Sequence, residues 1–281
     1  DDLNRLLTAA SSGLSASSNA GGDYSETYEY DEVGNLTYKN NIGDLLYEGT
    51  GSTSGTYSGA NPHAVTSVAG TAYSYDSNGN LTSNGTNSYS WDERNRLSSS
   101  GSKTFTYDAG GSRYKTVDSS SGIAEYTYYV SPYEEVRGVT PKSPGTPTYY
   151  IFAGGQRVAA LEDEDGSGAL EDTDLTYFHQ DHLGGTSLIT DSTGTVAQLY
   201  DYYPYGSELL DSQPTGSGAS APEHSFTDKE LDEDLGLYYF EARWYDSDIG
   251  RFISTDPLDG MSYTYAANNP LIIIDPTGLY I

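Results

Sequence analysis

Across 281 residues, 41 acidic side chains stand against 13 basic ones, a formal charge of −28 that repels phosphate backbones and argues against a nucleic-acid binder. There is no cysteine, so no disulfide framework, and apolar runs such as Leu271–Ile274 fall far short of the ~20 residues that span a bilayer. Hydrophobic residues make up only 35%, but that share includes 28 tyrosines, large rings with polar tips, which excludes a chain too polar to bury a core.

The start at Asp1 carries no signal peptide and reads as the interior of a longer pattern. Leu3, Leu6 and Leu7 sit at helical spacing, which predicts a short helix within Asp2 to Leu14. Ser11 to Gly22 is rich in Ser, Ala and Gly and reads as a linker. From Asp23 the period changes to two, and Tyr24, Tyr28 and Tyr30 fall on one face of a strand.

A tyrosine–aspartate pair then recurs, as Tyr30-Asp31, Tyr75-Asp76, Trp91-Asp92 and Tyr107-Asp108, the last three sixteen residues apart. A fixed period of this kind marks units too small to bury their own faces, which must stack on their neighbours. Asp31 to Gly34 and Asp76 to Gly79 place an aspartate where it caps a turn and a glycine where a positive φ is needed. Each unit therefore reads as strand, Asp-initiated turn, strand, and the units add up to a ribbon of hairpins.

Further on, Pro132, Pro141, Pro144 and Pro147 bracket a loop before a strand at Tyr149 to Phe152. The charged hairpin after Glu162 fits a twelve-residue calcium loop, with oxygens from Asp163, Asp165, Ser167, Glu171 and Asp174. Its alternative is a solvated hairpin tip, since Asp stands in place of the usual final Glu and no amphipathic helices flank it. His179 and His182 around Asp181 admit a metal reading, but that spacing suits a helix better than the strand and turn expected here. Asp211 to Pro222 reads as a loop, and Phe226 to Leu279 is dense in aromatics and turns.

The tyrosine–aspartate units resemble those of the RHS/YD-repeat family. Phe178-His179-Gln180-Asp181-His182-Leu183-Gly184 and Asp201-Tyr202-Tyr203-Pro204-Tyr205-Gly206 are similar to its signatures. So are Leu235 to Asp246, Gly250 to Pro257, and Asn268-Asn269-Pro270 running on to Asp275-Pro276-Thr277-Gly278-Leu279. The resemblance runs from about residue 23 to the end. It implies an all-β fold, a hairpin ribbon curling into a shell with a compact C-terminal core plug. Residues 1–22 would be a helix and linker, 23–174 the repeat sheet, and 175–281 the repeat-associated core domain.

In bacterial members such a shell encloses a toxic C-terminal domain, which the core cuts free by aspartic self-proteolysis. By position, Asp256 and Asp275 match the family's carboxylate pair and Arg243 its companion arginine. The scissile bond would be Leu279–Tyr280. Two carboxylates at close range share one proton, so that one serves as base toward water and the other as acid toward the carbonyl. An arginine holds a carboxylate by a two-pronged bond. The other reading of these residues is a turn-starting Asp-Pro and a structural ion pair.

Two functions stay open on the sequence. One is a shell segment enclosing or presenting its own C-terminal cargo, with self-cleavage after Leu279. The other is a non-catalytic surface or filament protein assembled from YD-repeat subunits. Either suits an extracellular, secreted or cell-surface setting, with calcium as the one candidate cofactor.

Overall fold

A computed structural model of the chain describes residues 1–12, 23–47, 61–140, 142–163, 169–212 and 224–279. Strands and turns make up nearly all of it, the exceptions being three single-turn 3-10 segments at Asp172–Asp174, Phe226–Asp228 and Ala266–Asn268. No helix of the described residues is long and apolar enough to cross a membrane.

The helix expected within residues 2–14 does not form. Asp1 turns its carboxylate back onto the amides of Leu3 and Arg5, Asn4 sits at φ 61, and Thr8–Ser11 is a strand paired with Tyr24–Tyr30. Leu3 and Leu7 are exposed, so the leucine spacing has no face to bury. Of the linker expected over Ser11 to Gly22, Ser11 instead ends the Thr8–Ser11 strand, and residues 13–22 lie outside the described residues.

Close packing divides the chain into two units. The first comprises residues 1–101, 203–207 and 231–281; the second comprises 102–202 and 208–230. The boundaries expected at 22/23 and 174/175 run along the chain, whereas these units interleave. The reason is that 203–207 and 231–281 pack onto the first repeats.

In the first unit, strands Thr8–Ser11, Tyr24–Tyr30, Leu36–Lys39, Gly43–Tyr47, Val65–Val68 and Thr71–Ala72 lie side by side in chain order. Each repeat turn is built the same way. Oδ1 of Asp31 accepts the amides of Val33 and Asn35, and its Oδ2 accepts Nδ2 of Asn35. Asp76 does this with Asn78 and Asn80, and Asp92 with Arg94 and Arg96. The residue three after the aspartate has a positive φ, +90° at Gly34 and +59° at Asn95, which is why Gly or Asn stands there.

Against these turns packs a meander of Leu237–Phe240, Arg243–Asp246 and Arg251–Phe252. Its rings, Phe240, Tyr245 and Phe252, close on Tyr265 with centroids 4.6 to 6.0 Å apart. Such edge-on and tilted pairs add to the area they bury. The Tyr263 hydroxyl donates to the Gly79 carbonyl, the Leu81 amide to Ile253 O, and Arg251 and Asn268 both donate to Gly34 O. The turns of the repeats thus serve as the docking points of the C-terminal segment.

The second unit is one antiparallel sheet whose strands run in chain order from Lys103–Tyr107 to Glu208–Ser212. One face carries the cluster Tyr150, Ala160, Phe178, Ile189 and Ala197. Alternation along the strands places Glu135, Thr148 and Thr176 on that same buried face.

Candidate functional site

Three of the residues singled out in the sequence meet in the first unit. Arg243 begins its strand and is 1% exposed; Asp256 and Asp275, on two different loops, are 2% and 1% exposed. One guanidinium nitrogen, Nη2, lies 3.0 Å from Oδ2 of Asp256 and 3.3 Å from Oδ2 of Asp275. Phe252 supports the guanidinium from below, its ring centroid 3.7 Å from Cζ. A cation over a ring face in a dry site is held by the quadrupole as well as by contact.

The remaining donors and acceptors are also matched. Nε of Arg243 donates to the Gly278 carbonyl and Nη1 reaches Ser262 O at 3.4 Å. Oδ1 of Asp256 accepts the Leu258 amide at 2.7 Å. Oδ1 of Asp275 accepts the amides of Thr277 at 3.2 Å and Leu279 at 3.1 Å. Burial pulls the Arg243 guanidinium below its ordinary value, and Asp256, Asp275 and Asp259 oppose that pull. Two carboxylates on one buried cation, each also fed by amides, satisfy the condition under which a buried ion pair holds.

The expected site residues therefore come together: Asp256, Asp275 and Arg243 at the centre, and Leu279 tied to Asp275 by its amide. Tyr280 lies outside the described residues. As folded, the pair is bridged by Arg243. A proton shared directly between the two carboxylates requires Nη2 to move aside, while the Arg243–Gly278 bond fixes the peptide just ahead of Leu279.

The other candidates stay apart. Asp165 and Ser167 lie outside the described residues. Asp174 spends an oxygen on the Glu171 amide in a capping box, at 2.8 Å. Asp181 is a turn cap, with Oδ1 accepting Leu183 N and Gly185 N, and His179 on the preceding strand contacts Thr190. Among the described residues no three His, Asp or Glu side chains gather as metal ligands do.

The repeat turn continues past the first repeats, a continuation expected only at Asp275, as a turn-starting Asp-Pro. Asp181, Asp191 and Asp275 cap the same turn as Asp31 does, each accepting the amides two and four residues on. The signal was present as Asp-x-x-Gly at 181–184, 191–194 and 275–278.

No family model matches the chain. It is 43% identical over 101 residues to Salivary gland surface protein 1 of Aedes aegypti, covering 35% of this chain and 3% of that protein. It is 34% identical over 110 residues to toxin subunit YenC1 of Yersinia entomophaga, covering 38% and 11%, and 34% identical over 118 residues to toxin protein Tse5 of Pseudomonas aeruginosa, covering 40% and 8%. The chain thus spans a small part of the curated relatives it matches. Among solved structures, the Photorhabdus luminescens Tc holotoxin pore aligns with a TM-score of 0.70 at 23% identity over 92% of this chain and 13% of that one. A TcdB2–TccC3 crystal structure aligns at 0.68 and 23% identity over 99% and 15%. The likeness to these structures is one of fold. Repeats, signature motifs in order, similar toxin proteins and a shared all-β fold converge, and together they are consistent with the RHS/YD-repeat family.

Proposed function

We propose that this chain is a segment of an RHS-type shell that encloses or presents a C-terminal cargo, and that it releases the polypeptide beyond Leu279 by aspartic self-cleavage. The observation that carries this reading is that one buried arginine holds both carboxylates and the Gly278 carbonyl, while Asp275 holds the Leu279 amide. In this reading one carboxylate takes a proton from water as its oxygen attacks the Leu279 carbonyl carbon. The other gives a proton to the carbonyl oxygen. The carbon–nitrogen bond to Tyr280 then breaks, and the departing amine takes the proton back. The fold supplies the effective concentration, since substrate and catalyst are one chain. Such a shell acts outside the cell that makes it, alone or with further subunits.

A fusion tag placed beyond Ile281 tests this on a denaturing gel. Release of the tag, with a new terminus at Tyr280 by mass, and its loss in Asp256→Asn, support the reading. A folded wild-type fusion that stays intact overturns the cleavage.

The likeness to a surface protein of Aedes aegypti favours a second reading, a non-catalytic surface protein whose repeats assemble end to end. An intact fusion that sediments as long polymers is its signature.

A further inference from the structure

The second unit buries a separate set of charges beneath one short segment, His224–Glu230. Thr186 holds the start of that segment, its Oγ1 donating to His224 O and its amide to Ser225 O, each at 3.0 Å. Within the segment the Asp228 amide returns to Ser225 O and the Lys229 amide to Phe226 O. Phe226 packs on Tyr202, with centroids 5.7 Å apart. Two carboxylates complete the attachment. Asp228 accepts Nε of Arg157 at 2.8 Å, and Glu230 accepts Arg113 and the Tyr129 hydroxyl, the latter at 2.7 Å.

His224 lies against the middle of this set. Its ring meets Tyr150 edge-on at 5.1 Å, and the Arg157 guanidinium covers the same tyrosine with Cζ 4.0 Å from the ring centroid. Nδ1 of His224 is shut off from solvent and has no hydrogen-bond partner among the described residues. Tyr150 donates to Glu135, which also takes Nε of Arg137 at 2.7 Å. The groups that face the histidine are therefore Arg113, Arg137, Arg157 and Lys229 on one side of the charge balance, and Glu135, Asp228 and Glu230 on the other, with Tyr129 and Tyr150 between them. Each of the three arginines already has a carboxylate. Among the described residues that face the histidine, a further positive charge finds no carboxylate left over.

We propose that His224–Glu230 is an acid-released strap, in which a proton taken up by His224 adds a fifth cation to Arg113, Arg137, Arg157 and Lys229 and lifts the segment from the sheet. Burial, and then Arg157, Arg137 and Arg113, hold the docked imidazole well below its ordinary range. An undocked imidazole protonates near pH ~6.5. Below that pH the free strap binds a proton that the docked strap refuses, so docking weakens as pH falls, by up to about tenfold per pH unit. The neighbours do not counter this. Burial pushes the Glu230 carboxyl up, but Arg113, Arg137 and the Tyr129 hydroxyl more than reverse it, so that it stays charged in mild acid. Burial above all keeps Tyr129 and Tyr150 neutral.

Hydrogen exchange on the full chain at pH 7.5, 6.0 and 5.0, corrected for intrinsic rates, tests the strap. We expect protection over residues 225–229 to fall at least tenfold by pH 5.0, while amides of the Thr146–Ala153 strand keep theirs. His224→Phe, which keeps a ring and removes the titration, is expected to hold protection at all three values; should that variant fail to fold, His224→Gln takes its place. Unchanged protection in the wild type, or an equal loss in a folded non-titrating variant, overturns the proposal.

Discussion

The backbone amide of Leu279 donates to Oδ1 of Asp275 at 3.1 Å, and this is the repeat turn used once more. The matching bonds are Asn35 to Asp31 at 2.8 Å and Asn80 to Asp76 at 2.9 Å. In those turns the second carboxylate oxygen takes an asparagine of the same turn; in Asp275 it takes Arg243. The candidate cleavage motif is thus a structural turn in which one oxygen has been given over to the arginine.

That double duty separates two variants. Asp275→Asn keeps an oxygen for the two turn amides but loses the charge, so it is expected to fold and to fail in tag release. Asp275→Ala loses both functions and should unfold more easily than Asp275→Asn by about 1–3 kcal/mol, the cost of leaving buried donors unmet. Thermal melts of the two proteins, set beside the gel, check this.

Arg243→Lys should be among the most damaging single changes in the first unit. An ammonium cannot reach two carboxylates and the Gly278 carbonyl with one fixed fork. The loss of a buried partner costs about 3–5 kcal/mol. Urea denaturation gives the figure, and a midpoint within error of the wild type would contradict that bridging role.

Gly278→Ala is expected to cost more than Gly184→Ala, although both residues have a positive φ, +71° and +83°. At Gly184 nothing lies within 4 Å of an added Cβ, so the cost is backbone strain alone, about 1 kcal/mol. At Gly278 that carbon meets the Phe240 carbonyl at 2.5 Å and the Arg243 amide at 3.1 Å. The backbone must then shift against the site, and the drop in melting temperature should be at least twice as large.

Asp246 gives a pH signature. Burial, then Asp248, push its carboxyl up to about 7. A carboxyl higher in the folded than in the unfolded chain makes the native state bind more protons between about pH 4 and 7, so this group's contribution falls as pH rises through that window. The stability of Asp246→Asn relative to wild type should therefore climb with pH, by at most about 1.4 kcal/mol per unit, and level off above pH 7. Denaturant titrations at several pH values give the slope; a flat difference would contradict it.

The ribbon was legible because it rests on local patterns, alternation and Asp-initiated turns; the grouping of Arg243, Asp256 and Asp275 was legible only through the family resemblance of the motifs that carry them. The first strand was not, because Leu3, Leu6 and Leu7 imitate a helix while Asp1 and Asn4 bend the backbone away from one. The Arg113–Glu230 pair was not legible either, since its partners are 117 positions apart and nothing in either neighbourhood names the other. Lys39 is a similar case. It is fully buried, donates to Ser207 Oγ and to the carbonyls of Ser247 and Asp248, and is drawn down to about 8, mainly by burial. In the sequence it is an ordinary strand lysine.

Because neighbouring strands in each sheet are also neighbours along the chain, every new hairpin emerging from a ribosome finds its template already laid down. Growth of this kind needs no distant loop closures and proceeds from the leading end. Both units hold exceptions: Gly34 and Gly79 wait for Arg251, Asn268 and Tyr263 from the trailing end, and Arg113 and Arg157 wait for Glu230 and Asp228. Maturation therefore has a built-in finishing step, and a nascent polypeptide stalled before residue 250 should carry well-formed hairpins with their anchoring carbonyls still wet.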